Sequence, residues 1–570
     1  GGRPLHCMNA SLTSRLVGGS GTFGGRIVEL LEDEPRLSLI IAGRSMEKAA
    51  AYCRGREKAK ANLVPTFFDR DGNLAVQLEA LKPDVLIDAS GPFQAYGADR
   101  YRLIEACIAR KVHYLDLADG SAFVAGVNDF DDAARMEGIW VLTGVSSFPV
   151  LTAAVVRRLS SGMARIDTIH GGIAPSPYAG VGENVIRAIA SYAGQPVPIK
   201  KDGRITTGHP FTEQIRFTIA PGGRVPLRST LFSLVDVPDL VALANLWPQA
   251  RTIWMGAGPV PELLHRALVA WAWLVRLRVL PSLSFLAPLM HIAMNHLRWG
   301  EHRGGMFVAV QGAAADGTPL KRSWHLLAEG SDGPLIPSMA VEAIVRRVLD
   351  GHVPTPGARA AVRELELDDY ERLFERKTIY TGLRDNRALE NGPLYARLLG
   401  PAWQALPQPI RQMHDLAGTR IAKGNASVER GTGLLSRIAA AIIGFPSAAE
   451  SVPVRVEFRE CDGIETWTRT FGGKAFSSEQ FAGQGRSDSL LCERFGPLTF
   501  AMALVIDGEC LRLVLRRWSL FGLPLPLWLA PRSDAYESVE GGRFAFHVEI
   551  SHPISGLIVR YRGRLAIVEG

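Results

Sequence analysis

"RLVGGSGTFGGRIVELLEDEP", from Arg15 to Pro35, decides how the first part of this chain folds. A short apolar run enters a glycine-rich turn, and the turn opens a segment with Ile27, Leu30 and Leu31 on one helical face. Gly19, Gly21 and Gly24 fit G-x-G-x-x-G, while Gly18, Gly21 and Gly24 equally fit G-x-x-G-x-x-G. In either spacing the first glycine makes the turn, the middle one lets a pyrophosphate approach bare backbone, and the last lets the helix pack closely on the sheet. The helix N-terminus then offers free N–H groups and a partial positive charge. A strand before and a helix after are the context that turns the spacing into a dinucleotide site.

Working outward, "LSLIIAG", "LVPTFFD", "DVLIDAS", "VHYLDLA" and "IWVLTG" alternate with helical patterns such as "DRYRLIEACIARK". Near-continuous apolar strands that alternate with helices predict an α/β fold with a doubly wound parallel sheet over residues 1–150. The second strand ends at Gly43, Arg44 and Ser45, about twenty residues past Gly24, with no carboxylate to accept from a ribose 2′-OH. Arg44 can pair with a 2′-phosphate as a bidentate donor, with Ser45 beside it, which favours NADP(H) over NAD(H). A solvated arginine at a helix start is the plainer alternative. Asp69 falls where a third strand ends, within reach of an adenine. "ASGPFQAYG" follows the fourth strand, and its G-P turn would run close to the nicotinamide ribose.

Residues 151–385 read as an α+β domain for substrate and dimerisation, with strands "RIDTIHGGIA", "EQIRFTIAPGGR" and "GMFVAVQGAAADG". Residues 386–570 begin with short helices. They continue as alternating strands with frequent turns, a mainly antiparallel β domain.

"VGGSGTFGG", "AGRS", "DVLIDASGPFQAYG" and "VHYLDLADG" together resemble the NADP-binding half of saccharopine dehydrogenase-like proteins, well over residues 13–150 and loosely to about 380. "YAGVGENVIRAIASYAG" is similar to that family's glycine-led helix in its second domain. The resemblance implies that Gly19, Gly21, Thr22, Phe23 and Gly24 hold the pyrophosphate, and that Arg44 and Ser45 hold the 2′-phosphate. It also implies that Ser90, Gly91, Pro92 and Phe93 line the nicotinamide side. After the fifth strand, where the family shows an acidic or small residue, stand Asp116 and Asp119; "TGVSSFPVLTAAVV" departs from the family's more usual Asp-containing version. "LYARLLGPAWQALPQPIRQMH", "WTRTFGGKAF", "LPLPLWLAPR" and "RYRGRL" resemble the domain of unknown function 4166, over residues 393–570.

Hydride transfer is carried by the cofactor and commonly needs a protein proton donor. Tyr96 is the first candidate, followed by Asp116 and Ser146, with His113 and Ser147 nearby in sequence. A tyrosine after G-P-F also serves for packing. Other chemistries lack their motifs. There is no G-x-S-x-G elbow and no G-x-x-x-x-G-K-[ST] loop, and neither the cysteines nor His265, His291, His296 and His302 have a metal-ligand spacing. His414 and His547 read as structural.

The net charge is +7 over 570 residues, with the arginines scattered among carboxylates. This is no footprint for nucleic acid. Six cysteines without a C-x-x-C pair suit reduced thiols and a cytoplasmic setting, and no apolar signal segment is visible. "VLPSLSFLAPLMHIAMNHL", Val279 to Leu297, has the length of a membrane span, but two prolines, two histidines and an asparagine argue against one. With "ELLHRALVAWAWLVRLRV" before it, residues 262–299 read as an amphipathic helical hairpin. It would serve as buried packing, a homodimer face, a peripheral membrane contact or the wall of a greasy pocket. "LFGLPLPLWLAP", Leu520 to Pro531, is a second apolar loop, beside either a sandwich core or a half-open barrel or cupped sheet around an apolar ligand. The expectation is an NADP(H)-dependent oxidoreductase acting on a small, apolar molecule. The rival is an NADP(H)-binding sensor or membrane-associated scaffold without turnover.

Overall fold

The computed structural model of the chain describes residues 12–17, 21–91, 93, 96–385 and 392–568. Gly18, Gly19 and Pro92 lie outside the described residues. The apolar runs of the first part become β1 (Leu12–Val17), β2 (Leu37–Gly43), β3 (Asn62–Phe67), β4 (Val85–Asp88), β5 (His113–Asp116) and β6 (Trp140–Thr143). Between them lie α1 (Thr22–Leu31), α2 (Met46–Arg54), α3 (Leu74–Leu81) and α4 (Arg102–Ala109). The strands pair in parallel in the order β6-β5-β4-β1-β2-β3, the doubly wound order, so the fold class reads correctly from the sequence. β4 and β6 are buried at every residue, as a sheet covered on both faces requires.

One strand of this sheet comes from far along the chain. Gly357–Ala360 pairs in parallel with β6 and extends the sheet to seven. The helix Ile336–Leu349 precedes it and is tied to the end of α1. Arg346 donates to the Leu30 carbonyl at 2.9 Å and to Asp33 at 2.6 Å, which satisfies an orphan carbonyl of α1 and places a cation at its negative end.

By compactness the chain divides into two units. The first comprises residues 1–215, 231–320 and 328–380; the second comprises 216–230, 321–327 and 381–570. The first unit also holds the strand Arg165–Ala174, flanked by Thr252–Ala257 in parallel and Gly304–Ala313 antiparallel. The apolar stretch folds as a helical hairpin, Glu262–Arg276 and Ala287–His296, with Pro288 in the first turn of the second helix, where a missing N–H costs nothing. Ala272, Val275, Leu283 and Ala287 bury against the helix Glu183–Tyr192. The opposite face exposes Trp271, Leu277, Phe285, Leu289, Ile292 and Trp299. No helix among the described residues is long and apolar enough to cross a membrane.

The second unit carries an antiparallel barrel. Its strands follow one another in sequence from Thr419–Arg430 to Gly556–Val568, and that last strand pairs with the first, which closes ten strands into a ring. Closure brings two backbones together at Gly424 and Gly563. A Cβ on Gly424 would run into the Arg564 carbonyl, and one on Gly563 into the Asn425 carbonyl. Of the alternatives open for this domain, the closed barrel replaces the sandwich.

Candidate functional site

Strand order reverses between β1 and β4, and in open α/β sheets ligands bind beyond the carboxyl ends of the strands at such a point. α1 starts there with Gly21 as its extended N-cap. No side chain caps it and no acidic residue lies in its first turn, so its N–H groups remain for an anion. Gly24 is buried, Phe23 half-buried and Thr22 exposed. The helix Glu183–Tyr192 begins beside this turn: a Cβ on its N-cap Gly182 would lie 3.8 Å from Thr22 Oγ1. Asn184 donates from its amide to the Gly91 carbonyl at 3.2 Å. Asn295, on the second helix of the apolar hairpin, clamps the loop before that helix. Its side chain accepts from the Val181 N–H and donates to the Val181 carbonyl, both at 3.1 Å.

At the end of β2, Arg44 is exposed and has no ion-pair partner among the described residues. The Ser45 hydroxyl accepts from the Lys48 N–H at 3.2 Å and caps α2, so its lone pair is engaged while its proton stays available to an anion. An unpaired cation between two helix N-termini, with no carboxylate at the strand end, fits a dinucleotide that carries a 2′-phosphate. Arg44→Ala is expected to weaken NADPH binding about tenfold and leave NADH binding unchanged, as one exposed charge-assisted hydrogen bond warrants. Calorimetric titration of both nucleotides checks this.

Past β3, Asp69 Oδ1 accepts from the Asp71 N–H at 3.1 Å and shapes the loop. The next residue, Arg70, forms an ion pair with Asp88 at the end of β4 and lies 3.5 Å over the ring of Tyr96. Asp88 is fully buried. Its Oδ1 accepts from the Ser90 N–H at 3.0 Å and from the Ser90 hydroxyl, and Ser90 Oγ lies 2.8 Å from the Tyr96 hydroxyl. Ser90 gives its one proton to Asp88, so Tyr96 is the donor to Ser90. Phe93 packs edge-on to Tyr96 and to Phe123 beneath this loop. Burial, reinforced by the Asp88 charge, raises Tyr96 well above the ordinary phenol range, with Arg70 opposing. Burial works against the Arg70 charge, but Asp88 more than offsets it and Arg70 stays raised.

At the end of β5, Asp116 is fully buried and ties β5 to β6. Its Oδ1 accepts from Thr143 Oγ1, Gly144 N–H and Ala118 N–H, each at 2.9 Å. Burial pushes this carboxyl up to about 7. The folded protein therefore holds a proton there that the unfolded chain releases near pH 4. Its contribution is complete below pH 4 and is lost as pH rises to about 7. Asp116→Asn is expected to keep the three accepted bonds and flatten the fall in thermal stability between pH 4 and pH 7, measured by calorimetry. Ser146, past β6, is half-exposed and makes no side-chain hydrogen bond among the described residues. His113 opens β5 at the other end of the strand, stacks on Trp140 and accepts from its N–H. Burial lowers it to about 4, so it is neutral and remote from the strand ends that make the site. No group of three or more His, Cys, Asp or Glu among the described residues could hold a metal ion.

Residues 16–142 match the Saccharopine dehydrogenase NADP binding domain family. The cofactor is NADP(H). Within the matched residues, Thr22 opens α1 after β1, Gly24 lies in its first turn, and Arg44 and Ser90 follow the carboxyl ends of β2 and β4. Residues 406–565 match the Domain of unknown function (DUF4166). No curated protein matches the chain. Among solved structures, the saccharopine dehydrogenase (L-Glu forming) of Saccharomyces cerevisiae shares 15% identity at a TM-score of 0.47, covering 66% of this chain and all of its own. GenD2 from gentamicin A biosynthesis, in complex with NAD, shares 13% at a TM-score of 0.32 over 66% of this chain and 94% of its own. KijD10, a 3-ketoreductase from Actinomadura kijaniata with NADP, shares 13% at 0.28 over 60% and 91%. Likeness at these scores carries no substrate to this chain. Residues 16–142 have the NAD(P)-binding fold found in oxidoreductases.

The sequence did not point to Arg70, Asp88 or Asn184. Asp88 carried a signal, an acid closing an otherwise apolar strand, "VLID". Arg70 and Asn184 carried none, because their partners are set by strand order and by a distant helix.

Proposed function

We propose that the first unit moves a hydride between NADP(H) and a carbonyl, imine or polarised double bond of a small, apolar substrate. The observation that carries this reading is the chain Arg70–Asp88–Ser90–Tyr96 at the switch point. NADPH, when bound, supplies the hydride. The protein's part is to bind, to orient and to hand over a proton. α1 and Arg44 hold the phosphates, and the Ser90–Gly91 turn, pinned by Asp88 and Asn184, forms the nicotinamide wall. A Tyr96 hydroxyl raised by burial keeps its proton at neutral pH and yields it only to a stronger base, such as the alkoxide oxygen of a reduced carbonyl. The Ser90 hydroxyl can then turn its proton from Asp88 to the phenolate oxygen, with the Arg70 charge over the ring.

The exposed apolar face of residues 262–299 supports an apolar substrate met at a membrane surface; a homodimer through that face is the competing use. The test is NADPH consumption by the purified chain, offered long-chain aldehydes, cyclic imines and conjugated polyenes. Turnover with one of these classes is the expected result. Tight NADPH binding with no turnover across all three would sink the enzyme reading in favour of an NADP(H) sensor.

A further inference from the structure

The barrel of the second unit encloses a cavity of about 160 Å³. Alternate residues of each strand point inward, as a closed barrel demands: Val454, Val456 and Phe458 on one strand, Trp467, Arg469 and Phe471 on the next. Much of the remaining wall is aromatic or aliphatic, including Phe500, Met502, Phe546 and Tyr561.

The two ends of the barrel differ. Strand directions put the connections at 431–448, 472–473, 496–497, 521–531 and 553–555 at one end. The helix Leu434–Ile443 lies in the first of these; Ile443 faces the cavity, while Leu434, Leu435 and Ile438 are exposed. At the same end Phe521, Trp528 and Ile554 are 80%, 76% and 78% exposed. An apolar rim of this kind suits the entry of an apolar molecule. Toward the other end, Tyr395 donates to Gln480 at 3.0 Å, and His414 Nε2 lies 2.6 Å from Glu537. His414, which reads as structural in the sequence, is stacked on Tyr395 and holds a carboxylate that lines the cavity.

The cation in the wall is already paired. Arg469 is the one Lys or Arg that lines the cavity. It donates to Ser478 Oγ at 2.8 Å and to Glu493 Oε1 at 2.9 Å, and Ser478 donates to that same oxygen at 2.6 Å. A ligand carboxylate would therefore find no spare cation, and two carboxylates, Glu493 and Glu537, already in the wall. Burying an unpaired anion there is unfavourable, whereas a hydroxyl or carbonyl can hydrogen-bond with Gln480 or His547.

We propose that the barrel binds an uncharged amphipathic lipid, of the long-chain alcohol, aldehyde or ester class, with its neutral polar head and the adjoining part of its chain in the aromatic interior and the rest of the chain along the exposed apolar rim. Glu493 sets this selectivity by cancelling the Arg469 charge. The binding stands apart from the redox reading, because it is measured without NADPH.

The test uses the full chain, Nile red fluorescence as the reporter, and hexadecanol and palmitate as competitors at neutral pH. Hexadecanol should displace the dye at a concentration about tenfold lower than palmitate, the ratio that 1.4 kcal/mol produces. Glu493→Gln uncovers the arginine and should bring palmitate level with hexadecanol or below it. Val456→Trp fills the cavity and should abolish displaceable dye binding while the NADPH-induced rise in melting temperature persists. Palmitate competing as well as hexadecanol in the parent chain would overturn the assignment. So would dye binding that survives Val456→Trp, or palmitate affinity unmoved by Glu493→Gln in a chain that still melts cooperatively.

Discussion

Tyr96→Phe is expected to slow substrate-dependent NADPH consumption by about 100-fold, the lower range for loss of a positioned acid, and to leave the NADPH dissociation constant unchanged. The phenyl ring keeps its edge-on contact with Phe93 and its place under Arg70, so only the hydroxyl is lost. Ser90 still binds Asp88 through its own N–H and hydroxyl, and the Ser90–Gly91 turn keeps its shape. A purely packing tyrosine predicts turnover within a factor of about two, because the removed hydroxyl would touch nothing that reacts. Stopped-flow measurement of a single turnover, with NADPH binding titrated separately, tells the two apart. Unchanged turnover would reduce Tyr96 to a prop for the Ser90–Gly91 turn and shift the search for an acid to Ser146.

Asp88→Ala carries the largest expected effect on stability. Asp88 is fully buried and the Arg70 side chain is only 13% exposed. Removing the carboxylate strands a largely buried guanidinium and frees the Ser90 N–H and hydroxyl as well. Breaking such a pair from one side costs about 3–5 kcal/mol. The melting transition that NADPH raises should fall by several degrees, and the NADPH-induced rise should shrink, because the Ser90–Gly91 turn, the proposed nicotinamide wall, loses its anchor. Asp88→Asn keeps an acceptor for Ser90 and loses only the charge, so it should fall between Ala and the parent. Equal melting temperatures for Asp88→Ala and the parent would mean that Arg70 reaches water freely and that the chain from Arg70 to Tyr96 is no unit.

The reading from sequence succeeded where one residue's neighbours along the chain settle its structure. Strands buried on both faces must be apolar throughout, so "LSLIIAG" and "DVLIDAS" announced themselves, and Gly21 with Gly24 fixed where the first turn had to be. The helical hairpin at 262–299 was equally visible, and its prolines correctly argued against a span. Partners far apart in sequence were not visible. The four residues "GARA" at 357–360 have no strand pattern, yet they complete the parallel sheet beside β6. Arg70 meets Asp88 only because β3 and β4 end on the same side of the sheet. The barrel strands showed their alternation, but the pairing of Thr419–Arg430 with Gly556–Val568, which turns a cupped sheet into a closed cavity, has no local signature. The Ser45 hydroxyl, read from the sequence only as a phosphate partner, also caps α2.

On the proposed reading, the glycine turn and Arg44 make an NADP(H) site at the switch point of the sheet. The most direct measurement is calorimetric titration of the full chain with NADPH and with NADH in the same buffer. An NADPH dissociation constant about tenfold or more below that of NADH is expected, the ratio one charge-assisted hydrogen bond provides. Equal constants, tighter NADH, or no binding of either nucleotide would contradict it.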